Sequence, residues 1–261
     1  MCKMVYTNYV QSMDGAGSDL SRKEARASTV ARLEGGVVVS AQTHRPGGPL
    51  DDPDTLVRLA IAAELGGARG FRVAGPEVVE LLRGRTTLPI IGITKRPDLG
   101  HEVFITPSVG DAVSLIDAGA DIVAADASPQ GRPADSFADI VAACHRRGVA
   151  VAADCATVEQ GLAVAAGPGA PDMVATTMAG YTAETRSVTP PDLGMTAVLA
   201  AQLSIPVVTE GGIWDPSGVE AAFAAGAFAV VVGSAVTDPE RITRRMTGVT
   251  RDATGPYSHR S

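Results

Sequence analysis

The chain alternates short, uninterrupted apolar runs with longer segments of helical spacing, and it does so eight times. The runs are β-branched or alanine-rich: Gly36–Gln42, Arg69–Ala74, Pro89–Lys95, Asp121–Asp126, Val149–Asp154, Asp172–Thr177, Pro206–Thr209 and Phe228–Val232. Continuous apolar character marks strands buried on both faces, as in a parallel sheet covered by helices. Between the runs the spacing predicts helices over 53–65, 76–83, 110–118, 135–146, 157–166 and 191–203, one opening at Asp215-Pro216, and a last one from Asp238-Pro239 to about Met246. An Asp-Pro pair supplies an N-cap and a first helical residue with its φ already set. Gly67-Ala68, Gly119-Ala120, Gly169-Ala170 and Gly226-Ala227 stand where a helix stops and the chain turns back into a strand.

Strand–helix alternation of this kind means an α/β fold with a parallel sheet. Eight units predict a closed (β/α)8 TIM barrel in a single domain, and 261 residues is close to the usual size. An open dinucleotide-binding sheet is disfavoured: the first turn reads Gln42-Thr43-His44-Arg45-Pro46 and carries no GxGxxG pattern. The expected organisation is a disordered tail over 1–20, the barrel over 21–247 and a second tail over 248–261. A helix at 21–34, with Val30 and Leu33 on one side, is expected to plug the N-terminal mouth. Val103–Thr106 is a candidate short extra strand.

Composition narrows the function. Hydrophobic residues are 45%, charged residues 20% and the net charge is −7, which argues for a globular protein and against a nucleic-acid partner. An anionic ligand would need local positive groups. Cys2, Cys144 and Cys155 have no paired or metal-binding spacing, which fits a reducing cytoplasm and no metal. No apolar run reaches the ~18 residues of a membrane span, and no secretion signal is seen. A homodimer is one assembly this leaves open.

A barrel carries its chemistry at the C-terminal ends of its strands. Standing there are Gln42, Arg72, Lys95, Asp126, Asp154, Thr176-Thr177, Glu210 and the pair Gly233-Ser234. Polarity returns at strand ends in any case, but closure aims these residues at one mouth. A partly desolvated Lys95 near other cations is a candidate base. Glu210 is a costly charge to bury without a task or a partner, the plain partner being Lys95 or Arg72. Arg72 is suited to an oxyanion or phosphate, or to a rim ion pair. Asp126 and Asp154 read equally as orienting or structural. His44 and His145 read as a loop and a helix surface. Gly211-Gly212 and Gly233-Ser234 follow successive strands, a pattern that either binds phosphate through backbone N–H groups or only makes tight turns.

Five segments carry a resemblance: IGITKR (91–96), ADCAT (153–157), TTMAGYT (176–182), TEGGIWDP (209–216) and VVGSAVT (231–237). Together with VVVSAQ and GFR they are similar to N-acetylmannosamine-6-phosphate 2-epimerases, in order, from about Gly35 to Met246. The resemblance implies a (β/α)8 barrel that interconverts N-acetyl-mannosamine 6-phosphate and N-acetyl-glucosamine 6-phosphate without a cofactor. It assigns catalysis to Lys95 and Glu210, and substrate contacts to Gln42, Arg72, Asp126, Asp154, Thr177, Gly211, Gly233 and Ser234; Gly212 joins the phosphate group. In that mechanism Lys95 takes the C2 proton of the open-chain sugar, Arg72 stabilises the enolate, and Glu210 or a group it controls returns a proton on the opposite face. The alternatives are a Schiff-base aldolase or synthase using Lys95, and a non-catalytic sugar-phosphate sensor. The loop after Asp126 keeps the family's Arg132-Pro133 pair. The family usually reads Glu-Gly-Arg after strand 7, whereas this chain has Glu210-Gly211-Gly212. An arginine restored at 212 is expected to tighten phosphate binding unless the backbone there is left-handed.

Overall fold

The computed structural model describes residues 19–97, 103–129, 132 and 135–248. The tail expected over 1–20 lies outside these apart from residues 19 and 20, which are helical; of the second tail only Gly248 is described. Helix α1 runs to residue 31. Eight parallel strands then close in sequence order: β1 (Val37–Ala41), β2 (Gly70–Ala74), β3 (Ile90–Ile93), β4 (Ile122–Asp126), β5 (Ala150–Asp154), β6 (Met173–Ala175), β7 (Val207–Glu210) and β8 (Ala229–Val232), with β8 pairing back to β1. Helices α2 (Pro53–Leu65), α3 (Pro76–Arg83), α4 (Val109–Asp117), α5 (Phe137–Arg146), α6 (Val158–Ala166), α7 (Leu193–Gln202) and α8 (Pro216–Ala224) make the returns. After β8 the chain forms α9 (Ser234–Thr237), a turn of helix absent from the pattern reading, and α10 (Pro239–Thr247). No helix among the described residues is long and apolar enough to cross a membrane.

The caps explain why the helices begin where they do. Asp52, Asp215 and Asp238 each accept a backbone N–H from the first turn of the helix they precede. Ser136 and Asp139 form a reciprocal capping box on α5. Gly67, Gly119, Gly169 and Gly226 all have φ between 83° and 98°. The four Gly-Ala returns therefore use a backbone region where a Cβ is strained.

Two apolar layers follow from the strand period of two. Val39, Phe71, Val73, Val123, Ala125 and Val151 face outward against the helices. Val38, Ile91, Ile93, Ile122, Ala124, Ala150, Ala152, Met173, Val208 and Val231 face inward and fill the barrel. Val30 and Leu33 belong to this inner cluster, so the N-terminal segment packs against the barrel interior. Leu33 seats against Gly70, where an added Cβ would lie 2.6 Å from its Cδ2.

The plug is also fastened by charge. Asp172 accepts from Arg26 Nε at 3.1 Å and from the Val151 N–H at 2.9 Å, and it pairs with His145 Nε2 at 2.9 Å. Burial raises the Asp172 carboxyl pKa, but these three partners outweigh it and hold the group below its ordinary value. Its contribution to stability is therefore present above the unfolded carboxylate pKa and lost as pH falls through the folded one. Asp172→Ala strands an arginine and a backbone N–H at once, and should cost about 3 kcal/mol in urea unfolding. A loss well under about 1 kcal/mol would show that apolar contact alone holds the plug.

Candidate active site

Inward parity continues past the apolar layers to the C-terminal mouth. Counting by twos from inner-core residues gives Gln42 from Val38, Lys95 from Ile93, Asp126 from Ala124, Asp154 from Ala152, Thr177 from Ala175, Glu210 from Val208 and Gly233 from Val231. Arg72 lies two residues beyond Gly70 on the same inward face of β2. The expected residues thus reach one end of one tube.

Four of them form a connected network. Arg72 is almost fully buried, and its two Nη atoms donate to Asp154 at 3.1 and 2.7 Å. Its Nε lies 3.3 Å from Glu210 Oε1, an ion pair whose alignment falls short of a hydrogen bond. Thr177 Oγ1 lies 2.7 Å from Asp154 Oδ1 and 3.0 Å from Glu210 Oε2. Burial works against the Arg72 charge, but Asp154 and Glu210 outweigh it and keep the guanidinium charged. The plain reading of Glu210 as an Arg72 partner is therefore realised. The Arg72 fork, proposed from sequence for an oxyanion or a phosphate, is occupied by Asp154.

Lys95 stands beside this network and feels both Arg72 and Glu210. Burial, reinforced by the Arg72 charge, pulls its amine down to about 8. Glu210 moves the other way: burial raises its carboxyl, Arg72 opposes the shift and Asp154 adds to it. Lys95 lies beyond the end of β3, and the backbone is carried there by residues 103–106. Lys95 bridges antiparallel to Ile105, Arg96 N–H donates to the Phe104 carbonyl at 2.9 Å, and Thr106 N–H donates to the Thr94 carbonyl at 3.0 Å. Asp126 N–H donates to the Ile105 carbonyl at 3.1 Å. The candidate extra strand is thus a single bridge wedged where β3 and β4 part, and it ties Lys95 to Asp126.

Asp126 Oδ1 accepts the Ser128 N–H at 2.8 Å, and burial raises its carboxyl pKa. Arg132 donates to the Asp126 carbonyl through Nη1; Pro133 lies outside the described residues. Gln42 is buried and its Nε2 donates to Ser40 Oγ at 2.9 Å. Burial pushes the Cys155 thiol well above its ordinary range, which makes it unreactive.

The mouth divides at Tyr181. On one side Gly211, Gly212, Gly233, Ser234 and Glu210 line a cavity of about 150 Å³. On the other, Asp126, Ser128, Gln160 and Met178 line one of about 330 Å³, and Tyr181 borders both. The smaller cavity contains two residues that the strand-end reading missed. His44 was read as loop surface, yet its Nε2 lies 3.4 Å from Ser234 Oγ. Arg241 comes from α10. His44 was accessible to sequence reasoning, because the β1–α2 loop opens at the mouth; Arg241 gave no such signal.

This architecture defines a (β/α)8-barrel enzyme. The sequence profile of a family described as "Putative N-acetylmannosamine-6-phosphate epimerase" matches residues 56–252. A protein of that name from Caldanaerobacter subterraneus is 36% identical over 220 residues, covering 83% of this chain and 91% of the relative. One from Cutibacterium acnes is 41% identical over 219 residues, covering 82% and 93%. The solved N-acetylmannosamine-6-phosphate 2-epimerase of Clostridium perfringens superposes with a TM-score of 0.78 at 33% identity, over 85% of this chain and 96% of that one. A tryptophan synthase α-subunit from Pyrococcus furiosus, at 14% identity and TM-score 0.59 over 83% of this chain and 91% of that one, shares the fold alone. The chain belongs to the N-acetylmannosamine-6-phosphate 2-epimerase family.

The condition attached to an arginine at 212 is decided by the backbone. Gly212 has a φ of 67°, and a Cβ built on it would lie 2.1 Å from the Pro190 carbonyl oxygen. The turn is left-handed and backbone-crowded, so it has no room for an arginine side chain. Gly212→Arg should weaken substrate binding and lower stability by about 2 kcal/mol or more. Kinetics beside a thermal melt check this; a lower KM with an unchanged Tm would show that the turn relaxes.

Proposed function

We propose that the chain interconverts N-acetyl-mannosamine 6-phosphate and N-acetyl-glucosamine 6-phosphate by moving a proton at C2. The observation that carries this reading is the opposed displacement of two groups in one mouth. A partly buried lysine with its pKa drawn down to about 8 stands beside a partly buried glutamate drawn up. A lysine drawn down and a carboxyl drawn up, both toward the operating pH, are suited to act as base and acid.

Epimerisation needs the open-chain aldehyde, in which the C2 proton is α to a carbonyl. The neutral Lys95 amine takes that proton, and the electron pair moves onto the aldehyde oxygen as an enolate. Glu210 delivers a proton to the opposite face of C2, which inverts the centre. Hydrogen counting supports a protonated Glu210. Thr177 has one hydroxyl proton but two carboxylate neighbours, at 2.7 and 3.0 Å. Both contacts are satisfied when Thr177 donates to Asp154 and a protonated Glu210 donates to Thr177. Arg72, held by Asp154, positions Glu210 from its other side, while Gln42 and Asp126 bind the sugar. The glycine-walled cavity takes the phosphate through backbone N–H groups. The free, buried Cys144 and Cys155 support a cytoplasmic site of action.

In D2O, NMR of the purified protein with N-acetyl-mannosamine 6-phosphate should show deuterium entering C2 as the second sugar appears. Lys95→Met should reduce this exchange by ~10²–10⁴-fold with the fold intact. A depressed lysine also suits Schiff-base chemistry; borohydride trapping of substrate on Lys95 without C2 exchange would favour that reading instead.

The pH profile tests the pairing. The active form carries one proton over the pair, neutral at Lys95 and present on Glu210. Its population rises as pH climbs through the lower macroscopic pKa and falls as the last proton leaves near the upper one. The kcat/KM profile should therefore be bell-shaped, with its alkaline limb near pH 8. Activity that rises through pH 8 to a plateau would mean that Lys95 works without an acid partner.

A further inference from the structure

At the turn after β7 the glycine-walled cavity is lined by Gly211 and Gly212, which bring no charge. Gly212 offers no side chain, and its backbone admits none. Arg241, the third residue of α10, also lines this cavity, at its border with the one bounded by Thr43, Arg45 and Glu240. Two contacts fix it there. Asp238 Oδ1 accepts the Arg241 backbone N–H at 3.0 Å, capping the helix, and Asp238 Oδ2 lies 3.5 Å from Arg241 Nε. Among the described residues the Nη edge of this guanidinium has no ion-pair or hydrogen-bond partner. It is the edge that grips two oxygens of a phosphate side by side.

The rest of the cavity does not duplicate this charge. His44 is drawn toward its neutral form, first by partial burial and then by the Arg241 and Lys95 charges, and it lies against Ser234. Arg72 faces Asp154 deeper in the barrel. The effect of Arg241 on both His44 and Lys95 places its charge within the same electrostatic neighbourhood as the reacting groups.

Building on the epimerase reading, we infer that Arg241, reaching in from α10, is this chain's phosphate-binding arginine and supplies the charge that the turn at Gly212 cannot. The anion meets N–H groups from the turns after β7 and β8 and a guanidinium from the helix beyond them. Asp238 sets the guanidinium angle through Nε and leaves the Nη pair to the ligand.

The test uses the full chain, with inorganic phosphate as a competitive probe beside the sugar phosphate. Arg241→Met keeps the helix cap, because Asp238 accepts the backbone N–H. It should raise both KM for N-acetyl-mannosamine 6-phosphate and Ki for phosphate by about tenfold, the lower end for a charged hydrogen bond because the guanidinium is half-exposed. The loss should fall on KM rather than kcat, since the phosphate is bound alike in ground and transition states. Arg241→Lys should recover part of it. Unchanged KM and Ki in Arg241→Met, or a fall in kcat alone, would overturn the assignment while leaving the epimerase reading intact. If the wild type shows no C2 exchange, direct calorimetry with inorganic phosphate separates the two. Phosphate binding that needs Arg241 keeps the site and removes the reaction; phosphate binding indifferent to Arg241 removes the site.

Discussion

Barrel closure imposes one constraint from which the site follows: every second residue of every strand points into a tube too narrow for anything but side chains. Low in the tube these positions must be apolar, and they are, through Val38, Ile91, Ile122, Ala150, Met173 and Val231, with Val30 and Leu33 sealing the floor. At the top the same parity continues into water. A polar residue there is drawn into a shared space whether or not it has a neighbour in sequence. Arg72, Lys95, Asp154, Thr177 and Glu210 span well over a hundred residues of chain, yet they are adjacent because they share parity and height.

Charges buried in this way, as Arg72 and Asp154 are, must neutralise one another, because burial strips them of solvation. Asp154 meets Arg72 along both Nη atoms and settles that pair. Lys95 and Glu210 remain, both partly desolvated, with Glu210 held only by the Arg72 Nε at 3.3 Å. Burial pushes both toward neutrality, and neutral lysine with protonated glutamic acid is the proton distribution that the proposed reaction needs. One physical cause therefore acts on two residues with opposite signs, and no separate device is needed to make a base and an acid.

The strand-end rule reads most of this from sequence because it needs only the position where an apolar run stops. It names Lys95 and Glu210 although the strands themselves end at Ile93 and Glu210. What it misses comes from elements with no such marker. Residues 103–106 carry Lys95 forward by filling a gap between β3 and β4, a matter of sheet geometry that no periodicity encodes. His44 belongs to a loop, and Arg241 to a helix whose amphipathic pattern says nothing about which way its first turn faces. The commitment of the Arg72 fork to Asp154 depends on two strands three places apart in the barrel. The left-handed Gly212 was legible only as an option, because a glycine pair permits that backbone without requiring it.

The glycine and the distant arginine are best understood together. A turn with φ near 67°, packed under the Pro190 carbonyl, exposes backbone N–H groups but bars a side chain. An anion site there gains close backbone approach and loses charge. Charge returns from α10, two helices further along the chain than the α8 that follows the turn, because Arg241 lines the same cavity. Asp238 serves both ends of that arrangement. As N-cap it fixes where α10 begins, and through Arg241 Nε it fixes where the cation sits. Backbone conformation at one strand end and helix capping at the next thus become a single design problem. The left-handed φ and the Pro190 carbonyl bar a side chain at 212, while Arg241 reaches the same cavity from a helix whose start its own cap sets.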